Sequence, residues 1–361
     1  MDRLPVQIYS ISNIKQDLAN IARLFEDVDT LGGINSRHII SVENKFNTIT
    51  GKSSTLVSSC TNGIYLALKK LDLCGRYVVI PPITFFGVAS AVVKAGGIPL
   101  YSSVDQYGLM DINSVVELIE KYSVAAIIPS HINNRYVEIS GISARATIIE
   151  DAAPAWGITD NNDRCIISST SNTSVISFSY GKPLSAGEGG MIFTPHPTDW
   201  FRGQRYCGLE IQGTYGYNEF DVLEPELKLA STAIAAAMIS IKLKSYRDKI
   251  TQAYSIAKYY DSVFGNLIDS GLNHRGNHQT FVILSDRSQE IIQALDASGI
   301  KSYKSHKPLF WNTAFNNLSG SLQFKSSAEE YYSKIVHIPC RGDLTNSQVN
   351  QIADIVKRTL S

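Results

Sequence analysis

Apolar and polar positions along the chain alternate between two rhythms. From residue 55 onward, short and nearly continuous apolar runs read as strands: TLVSS (55–59), YVVIPP (77–82), IPLYSS (98–103), VAAIIPS (124–130), TIIED (147–151) and SVISFS (174–179). Between them, NGIYLALKKLDL (62–73), FGVASAVVKAG (86–96) and INSVVELIEKY (112–122) carry helical spacing, the last with Asn113 or Ser114 placed as its cap. Strands apolar on both faces and separated by helices predict a parallel sheet covered on both sides. Upstream, Ile14, Leu18, Ile21 and Leu24 within residues 12–27 predict an amphipathic helix, and residues 39–49 predict another. Residues 229–250 read as one long helix, Ala-rich and then basic. Beyond it the alternation thins, through TFVILS (280–285), QEIIQALDASGI (289–300), SKIVHIP (333–339) and NSQVNQIADIVKRTL (346–360). The pattern divides the chain into a large domain over 1–244 and a smaller α/β domain over 245–361, with the helix at 12–27 expected to pack on the smaller one.

Composition narrows the function classes. The chain has 361 residues with 33 basic and 33 acidic side chains, so no excess positive field exists to attract nucleic acid or an anionic membrane. Its apolar share of 44% suffices for a large core. No apolar run approaches the ~18 residues of a membrane helix, and the N-terminal MDRLPVQIYS lacks the apolar stretch of a signal peptide. Cys60, Cys74, Cys165, Cys207 and Cys340 are odd in number and widely spread, which fits reduced thiols in a cytoplasmic enzyme with neither a disulfide framework nor a bound metal.

The candidate chemistry centres on residues 174–191, SVISFSYGKPLSAGEGGM. A strand leads to a lone lysine, Lys182, followed by a glycine-rich turn and the apolar run MIF. A lysine held at the mouth of a sheet loses hydration, its pKa falls, and it becomes suited to a Schiff base with a carbonyl. A hairpin with an exposed lysine reads the same on this stretch alone. Three further features change the balance. Asp151 ends the strand in IIEDAAPAWG (148–157), where a carboxylate can cap a helix or ion-pair with a protonated ring nitrogen. In SSCTNGIYLAL (58–68), Thr61, Asn62 and Gly63 put a hydroxyl and free amides at a helix N-terminus, a ready phosphate site. Phe85, in PPITFF (81–86), offers an aromatic face after a strand. All four lie where ligands bind in such sheets, beyond the carboxyl ends of the strands. A lysine for an aldehyde, a carboxylate for a ring nitrogen, a phosphate cradle and a stacking face are together the needs of pyridoxal 5′-phosphate (PLP).

At these residues the chain resembles the DegT/DnrJ/EryC1/StrS family of PLP-dependent nucleotide-sugar aminotransferases, over nearly its whole length. SCTNGIYLAL is similar to the family's S-G-T-A-A-L-x-L-A-L, and PPITFFGVASAVVKAGGIPLYSSVD to its P-x-x-T-F-x-A-T-A-N-A-x-x-x-x-G-x-x-P-x-F-x-D. IIPSH (127–131), EDAAPAWG, SFSYGKPLSAGEGGMIFT, HKPLF (306–310) and VHIPC (336–340) continue in the family's order. The resemblance implies the fold type I of PLP-dependent transferases: a large domain with a mostly parallel seven-stranded sheet and a smaller C-terminal α/β domain. It implies that Lys182 carries the internal aldimine and shuttles the proton, and that Asp151 pairs with the pyridinium nitrogen. It implies further that Phe85 stacks on the ring, and that Thr61, the amide of Asn62 and Ser177 hold the phosphate. In a homodimer with a shared site, Lys228 in ELKLAST (226–232) would reach the partner's phosphate, with Asn218 in YGYN (215–218) as competitor.

Two departures stand out. The family usually has Gln or His three residues after the aspartate, contacting the ring hydroxyl, and here Pro154 has no donor to offer. The segment 208–228 matches poorly. The implied reaction is a ping-pong transfer of an amino group from L-glutamate to a nucleotide-linked 3- or 4-keto-deoxysugar, with the cofactor cycling through pyridoxamine 5′-phosphate. Such reactions serve deoxyaminosugar synthesis for O-antigens or antibiotics. Arg37, Tyr303, Lys304 and His306 are candidates for the sugar nucleotide, although a lone histidine in a loop such as His306 is commonly just solvated. Cyclitol or aminobenzoate-type ketones are alternative acceptors, and a non-catalytic PLP-fold binding or regulatory protein is the alternative from another class. A related dehydratase carries His in place of the lysine, which Lys182 argues against.

Overall fold

In a computed structural model of the chain, residues 6, 14–26, 33, 36–139, 141–142, 145–158, 173–210, 221–265, 276–304, 306–316 and 323–361 are described. Seven strands form one sheet: β1 (Ser53–Val57), β2 (Tyr77–Ile80), β3 (Ile98–Tyr101), β4 (Val124–Ile127), β5 (Thr147–Asp151), β6 (Thr173–Ser177) and β7 (Gly190–Thr194). Their order is β1-β7-β6-β5-β4-β2-β3. All run parallel except β7, which is antiparallel to both neighbours. The sheet is buried on both faces, as apolar strands require: along β6, Val175 enters one core cluster and Ile176 the other.

Helices α3 (Cys60–Lys69), α4 (Phe86–Lys94) and α5 (Ile112–Lys121) supply the first cluster. The second is built by α2 (Arg37–Thr50), α7 (Ala233–Leu243) and the start of α8 (Tyr246–Phe264). Helix α3 lies tight on the sheet because Gly63 has no side chain: a Cβ there would sit 2.6 Å from Val175 Cγ1 and 3.2 Å from Ile192 Cγ1. That contact holds the N-terminus of α3 beside the ends of β1, β6 and β7.

A second, two-stranded antiparallel sheet pairs β8 (Thr280–Leu284) with β9 (Ile335–Pro339). With α8, α9 (Ser288–Ala297) and α11 (Asn346–Leu360) it encloses a third core cluster. Leu309, Phe310, Ala328 and Tyr331 instead join the core of the large sheet, so the two bodies share apolar packing.

Four readings are adjusted. The span 229–250 is two helices, not one: i→i+3 bonds at Lys244 and Ser245 tighten and end α7, and Asp248 in the first turn favours a new start for α8. Helix α1 (Ile14–Leu24) packs on α7, with Asp17 3.8 Å from Lys242, while the contact with the smaller sheet's body is made by Val6, bridged to Ile300. The cap of α5 is Asp111, which accepts from the amide of Asn113, while Ser114 turns back to the carbonyl of Asp111. The polar helices α6 (Asp199–Gln204) and α10 (Lys325–Lys334) have too few apolar positions to show a period.

Candidate active site

A cavity of about 430 Å³ opens at the carboxyl ends of β1, β2, β5 and β6 and is closed from the other side by Thr280 at the start of β8 and His337 in the middle of β9. Lys182, Asp151, Thr61, Phe85, Ser177, Tyr303 and His306 all line it.

Asp151 is the most constrained of them. Its backbone is pinned on both sides, to Pro129 and His131 beyond β4 and, through Ala152, to Val175 of β6. Its side chain is only 4% exposed. Oδ1 accepts from the amide of Ala153 at 3.1 Å and the thiol of Cys60 at 3.8 Å; Oδ2 accepts from Ser130 Oγ at 3.0 Å and Thr84 Oγ1 at 3.4 Å. The Asx turn to Ala153 shows that capping and pairing are compatible. The oxygens are oriented by local donors while the group still faces the cavity.

Lys182 sits in the β6–β7 connection. Its amide closes a turn onto the carbonyl of Ser179 at 3.1 Å, and Gly181 supplies the φ of +87° at the third position of that turn. Burial of the ammonium end lowers the Lys182 pKa, and the Asp151 carboxylate offsets part of this. The amine form is therefore more available than on a solvated lysine.

Ser59 caps α3, and its Oγ accepts the amide of Asn62 at 3.1 Å. The side chain of Asn62 turns to Ser58 Oγ at 2.9 Å, away from the cavity. The expected phosphate contact through the Asn62 amide is thus occupied by the helix's own cap. Thr61 and Ser59 face the cavity instead. Across from them Ser177 Oγ lies 3.0 Å from Ser179 Oγ. Phe85, the N-cap residue of α4, turns its ring to the cavity mouth, 44% exposed, against Phe86 at 4.1 Å and edge-on to His306 at 5.8 Å.

Tyr303 stacks flat on His337 at 4.7 Å and 5°. His337 is buried, its Nδ1 2.8 Å from Thr280 Oγ1, and burial with the nearby His306 pushes its pKa down to about 3, so the ring is neutral. Lys304 turns away, to the carbonyls of Tyr332 and Ser333. Arg37 lies in a separate shallow groove on α2 with Asn44 and Lys45, not at this cavity. Lys228, exposed and bridged through its backbone to Tyr206, does not line the cavity of its own chain. Asn218 lies outside the described residues.

Sequence reasoning missed Thr84, Ser130 and Cys60 around Asp151, and Asn277, Gln279 and His337 from the smaller body. Ser130 ends an apolar run in the way Asp151 does, a signal that was available. The others come together only through the fold. Pro154 lines the cavity as an apolar wall, and its carbonyl is held by Asn277.

The donors present fit the cofactor. An amine and a fixed carboxylate face one cavity beside a helix N-terminus, and a Cβ on Gly87 would meet Thr61 Oγ1 at 2.4 Å and the Phe85 ring at 2.7 Å, so that corner is shaped by the absence of a side chain. Sheet order, lysine hairpin and aspartate strand together define a fold type I PLP enzyme. The chain belongs to the DegT/DnrJ/EryC1/StrS aminotransferase family, whose sequence profile matches residues 20–357, and it is a PLP-dependent aminotransferase.

Among curated relatives, the spore coat polysaccharide biosynthesis protein SpsC of Bacillus subtilis is 24% identical over 87% of both chains. A UDP-N-acetyl-3-dehydro-alpha-D-glucosamine 3-aminotransferase of Acidithiobacillus ferrooxidans is 26% identical over 84% of this chain and 83% of its own. Among solved structures, Helicobacter pylori PseC, an aminotransferase involved in the biosynthesis of pseudoaminic acid, superposes with a TM-score of 0.88 at 19% identity over 99% of each chain. That likeness establishes the fold.

Proposed function

We propose that this enzyme transfers the amino group of L-glutamate to a nucleotide-linked keto-deoxysugar, at C3 or C4. The observation that carries the reading is the meeting of Lys182 and the braced Asp151 in one cavity. The sugar acceptor is supported by the relatives named above, one of which acts at C3 of a UDP-linked sugar by its description. Other relatives are described as transaminases of UDP-4-amino-4,6-dideoxy-N-acetyl-beta-L-altrosamine.

PLP supplies, when bound, an aldehyde and a cationic ring that delocalises carbanion charge. Lys182 Nζ, its pKa lowered by burial, would hold the cofactor through its aldehyde and, when free, would carry a proton between substrate and cofactor. Asp151 would pair with the ring nitrogen and favour its protonated form, and Thr84, Ser130 and Ala153 keep Asp151 aimed. Phe85 would cover the ring; Thr61 and Ser59 at the N-terminus of α3, with Ser177 across from them at the end of β6, would offer hydroxyls for the phosphate. Tyr303 and His306, which also line the cavity, would meet the sugar nucleotide in this reading.

The working unit in this reading is a homodimer with a shared site. Tyr180 lines the cavity yet is 77% exposed, and Phe86 beside Phe85 is 56% exposed, apolar surface that a second copy would cover. Lys228, outside its own cavity, is then free to serve the partner's, with Asn218 as competitor. A cytoplasmic site of action fits the unpaired Cys60, Cys74, Cys207 and Cys340. Among the described residues no helix is long and apolar enough to cross a membrane.

The test is optical and covalent. Protein loaded with PLP is yellow, bleaches with L-glutamate and regains colour with the right nucleotide keto-sugar, and borohydride fixes the cofactor to the peptide containing Lys182. A protein that stays colourless with PLP is a binding protein of another kind. Recovery of colour only with a cyclitol or aminobenzoate-type ketone moves the acceptor to that class.

A further inference from the structure

Just before β8, two residues of the smaller body reach the two loops that carry the chemistry. Asn277 Nδ2 donates to the carbonyls of Pro154 at 2.6 Å and Trp156 at 3.0 Å, in the turn that follows Asp151. Gln279 Nε2 donates to the carbonyl of Gly181 at 2.6 Å, on the peptide bond that leads into Lys182. Both side chains also line the cavity. The tripeptide itself is anchored. Asn277 Oδ1 accepts the amide of Gln279 at 3.2 Å. His278, buried between them at a φ of +48°, stacks on Tyr254 of α8 at 5.2 Å. A non-glycine residue held at positive φ beside a cavity is strain that its surroundings maintain. The next residue, Thr280, offers its carbonyl to Asn134 Nδ2 at 3.0 Å, a third tie to the large sheet's loops.

We propose that Asn277 and Gln279 are positioning residues: a bridge of two amides that fixes Lys182 relative to Asp151 from the smaller body, an inference that rests on the aminotransferase reading. The Gly181 carbonyl belongs to a glycine, whose peptide rotates readily when unheld. The Lys182 amide already holds one side of that peptide in its turn onto Ser179; Gln279 holds the other side, one bond from the Lys182 backbone nitrogen, and so sets where the side chain that carries the amine begins. Asn277 does the same for the turn that begins at Asp151, where Pro154 contributes no side-chain donor. Neither loop binds the other directly in this bridge; each is indexed to the same short segment. Movement of that segment therefore changes the reach of Lys182, and a well-set segment keeps the amine and the carboxylate in register.

The test compares Gln279→Glu, the same shape without an N–H donor, with Asn277→Ser. Complete removal of the Asn277 side chain leaves two buried carbonyls unpaired and costs folding, so Gln279→Glu is the primary variant. In the apoprotein, the carbamoylation rate of Lys182 by cyanate, read by peptide mass spectrometry, is expected to fall about threefold to tenfold, the size of one lost hydrogen bond. In the loaded enzyme kcat falls by a similar factor with KM for the amino donor little changed. Carbamoylation and kcat both within twofold of wild type, even with a lowered melting temperature, would reduce the bridge to scaffolding and overturn the proposal. If wild-type protein never bleaches with an amino donor, the aminotransferase reading fails, while the carbamoylation comparison still decides whether the bridge sets Lys182.

Discussion

Cys60 brings its thiol to 3.8 Å from Asp151 Oδ1 and 3.6 Å from the carbonyl of Val175. Burial and then the Asp151 carboxylate raise its pKa well above the usual thiol range, so the sulfur stays protonated and donates. Such a thiol is a weak donor and a poor nucleophile. Cys60→Ala removes one of four donors to Asp151 and is expected to lower kcat only about twofold to fivefold, since a weak hydrogen bond is worth less than ~1 kcal/mol. In native protein, iodoacetamide should label the exposed Cys74 and Cys207 and spare Cys60 and Cys340 until denaturant is added. Mass mapping that finds Cys60 alkylated in the folded protein would contradict its assignment as a protonated donor.

The depressed pKa of Lys182 makes a stability prediction with a definite sign. Burial penalises the ammonium in the folded state, so the folded protein gives up this proton at lower pH than the unfolded chain does. Between the two pKa values the unfolded state binds more protons, and stability rises with pH. Below the folded pKa the penalty is present in full, and above the ordinary lysine pKa of roughly 10.4 it is gone. Lys182→Met in the apoprotein should therefore raise the melting temperature at pH 7, with a gain that shrinks as pH approaches 10. Scanning calorimetry of both apoproteins at pH 7 and pH 9.5 measures this. A destabilised variant, or a gain that grows with pH, would show that the ammonium is better solvated than the fold implies.

The sheet and the turn that carries Lys182 were legible because both are local. Strands such as β2 and β4 are apolar throughout, and the connection S-Y-G-K carries its glycine where the turn needs it. What was not legible was long-range. Nothing near Gln279 marks it as a partner of Gly181, 98 residues away in sequence. The amide of Asn62 looked free because a helix start exposes its first N–H groups, yet Ser59 two residues before Thr61 already satisfies it. The break at Ser245 was hidden by apolar residues that continue across it; only the acidic Asp248 in the next turn signalled a new helix.

Two glycines at the cavity should separate binding from folding. At Gly87 an added Cβ meets only side chains, Thr61 Oγ1 and the Phe85 ring, and Phe85 is partly exposed and able to turn. Gly87→Ala should then leave the melting temperature nearly unchanged and weaken PLP binding about tenfold, as both displaced groups belong to the cofactor's surroundings. At Gly190 the added Cβ lies 2.6 Å from the backbone of Ser59 and Cys60, which has no room to retreat. Gly190→Ala should cost roughly 1–3 kcal/mol of stability, as an overpacked core site does. Denaturant unfolding with parallel cofactor titration reads both effects, and an inverted pattern would place the cofactor away from the Thr61 and Phe85 corner.

Asp151→Asn isolates the charge from the shape. An asparagine with its oxygen toward the Ala153 amide and the Cys60 thiol puts its nitrogen toward Ser130 and Thr84, whose hydroxyls can turn to accept, so the hydrogen bonds survive in kind. The folding cost should then be small beside the effect on catalysis. Cofactor capture by Lys182 and by the α3 end does not depend on this charge, so PLP uptake, measured by absorbance per chain, should remain near stoichiometric. In the proposed mechanism an amide would not favour a protonated ring nitrogen as the carboxylate would, and kcat per bound cofactor should fall on the order of 10²- to 10³-fold. KM for the donor should move far less, because the loss belongs to the transition state. Turnover within fivefold of wild type at full loading would mean that another group keeps the ring protonated, and the role given to this strand end would have to be withdrawn.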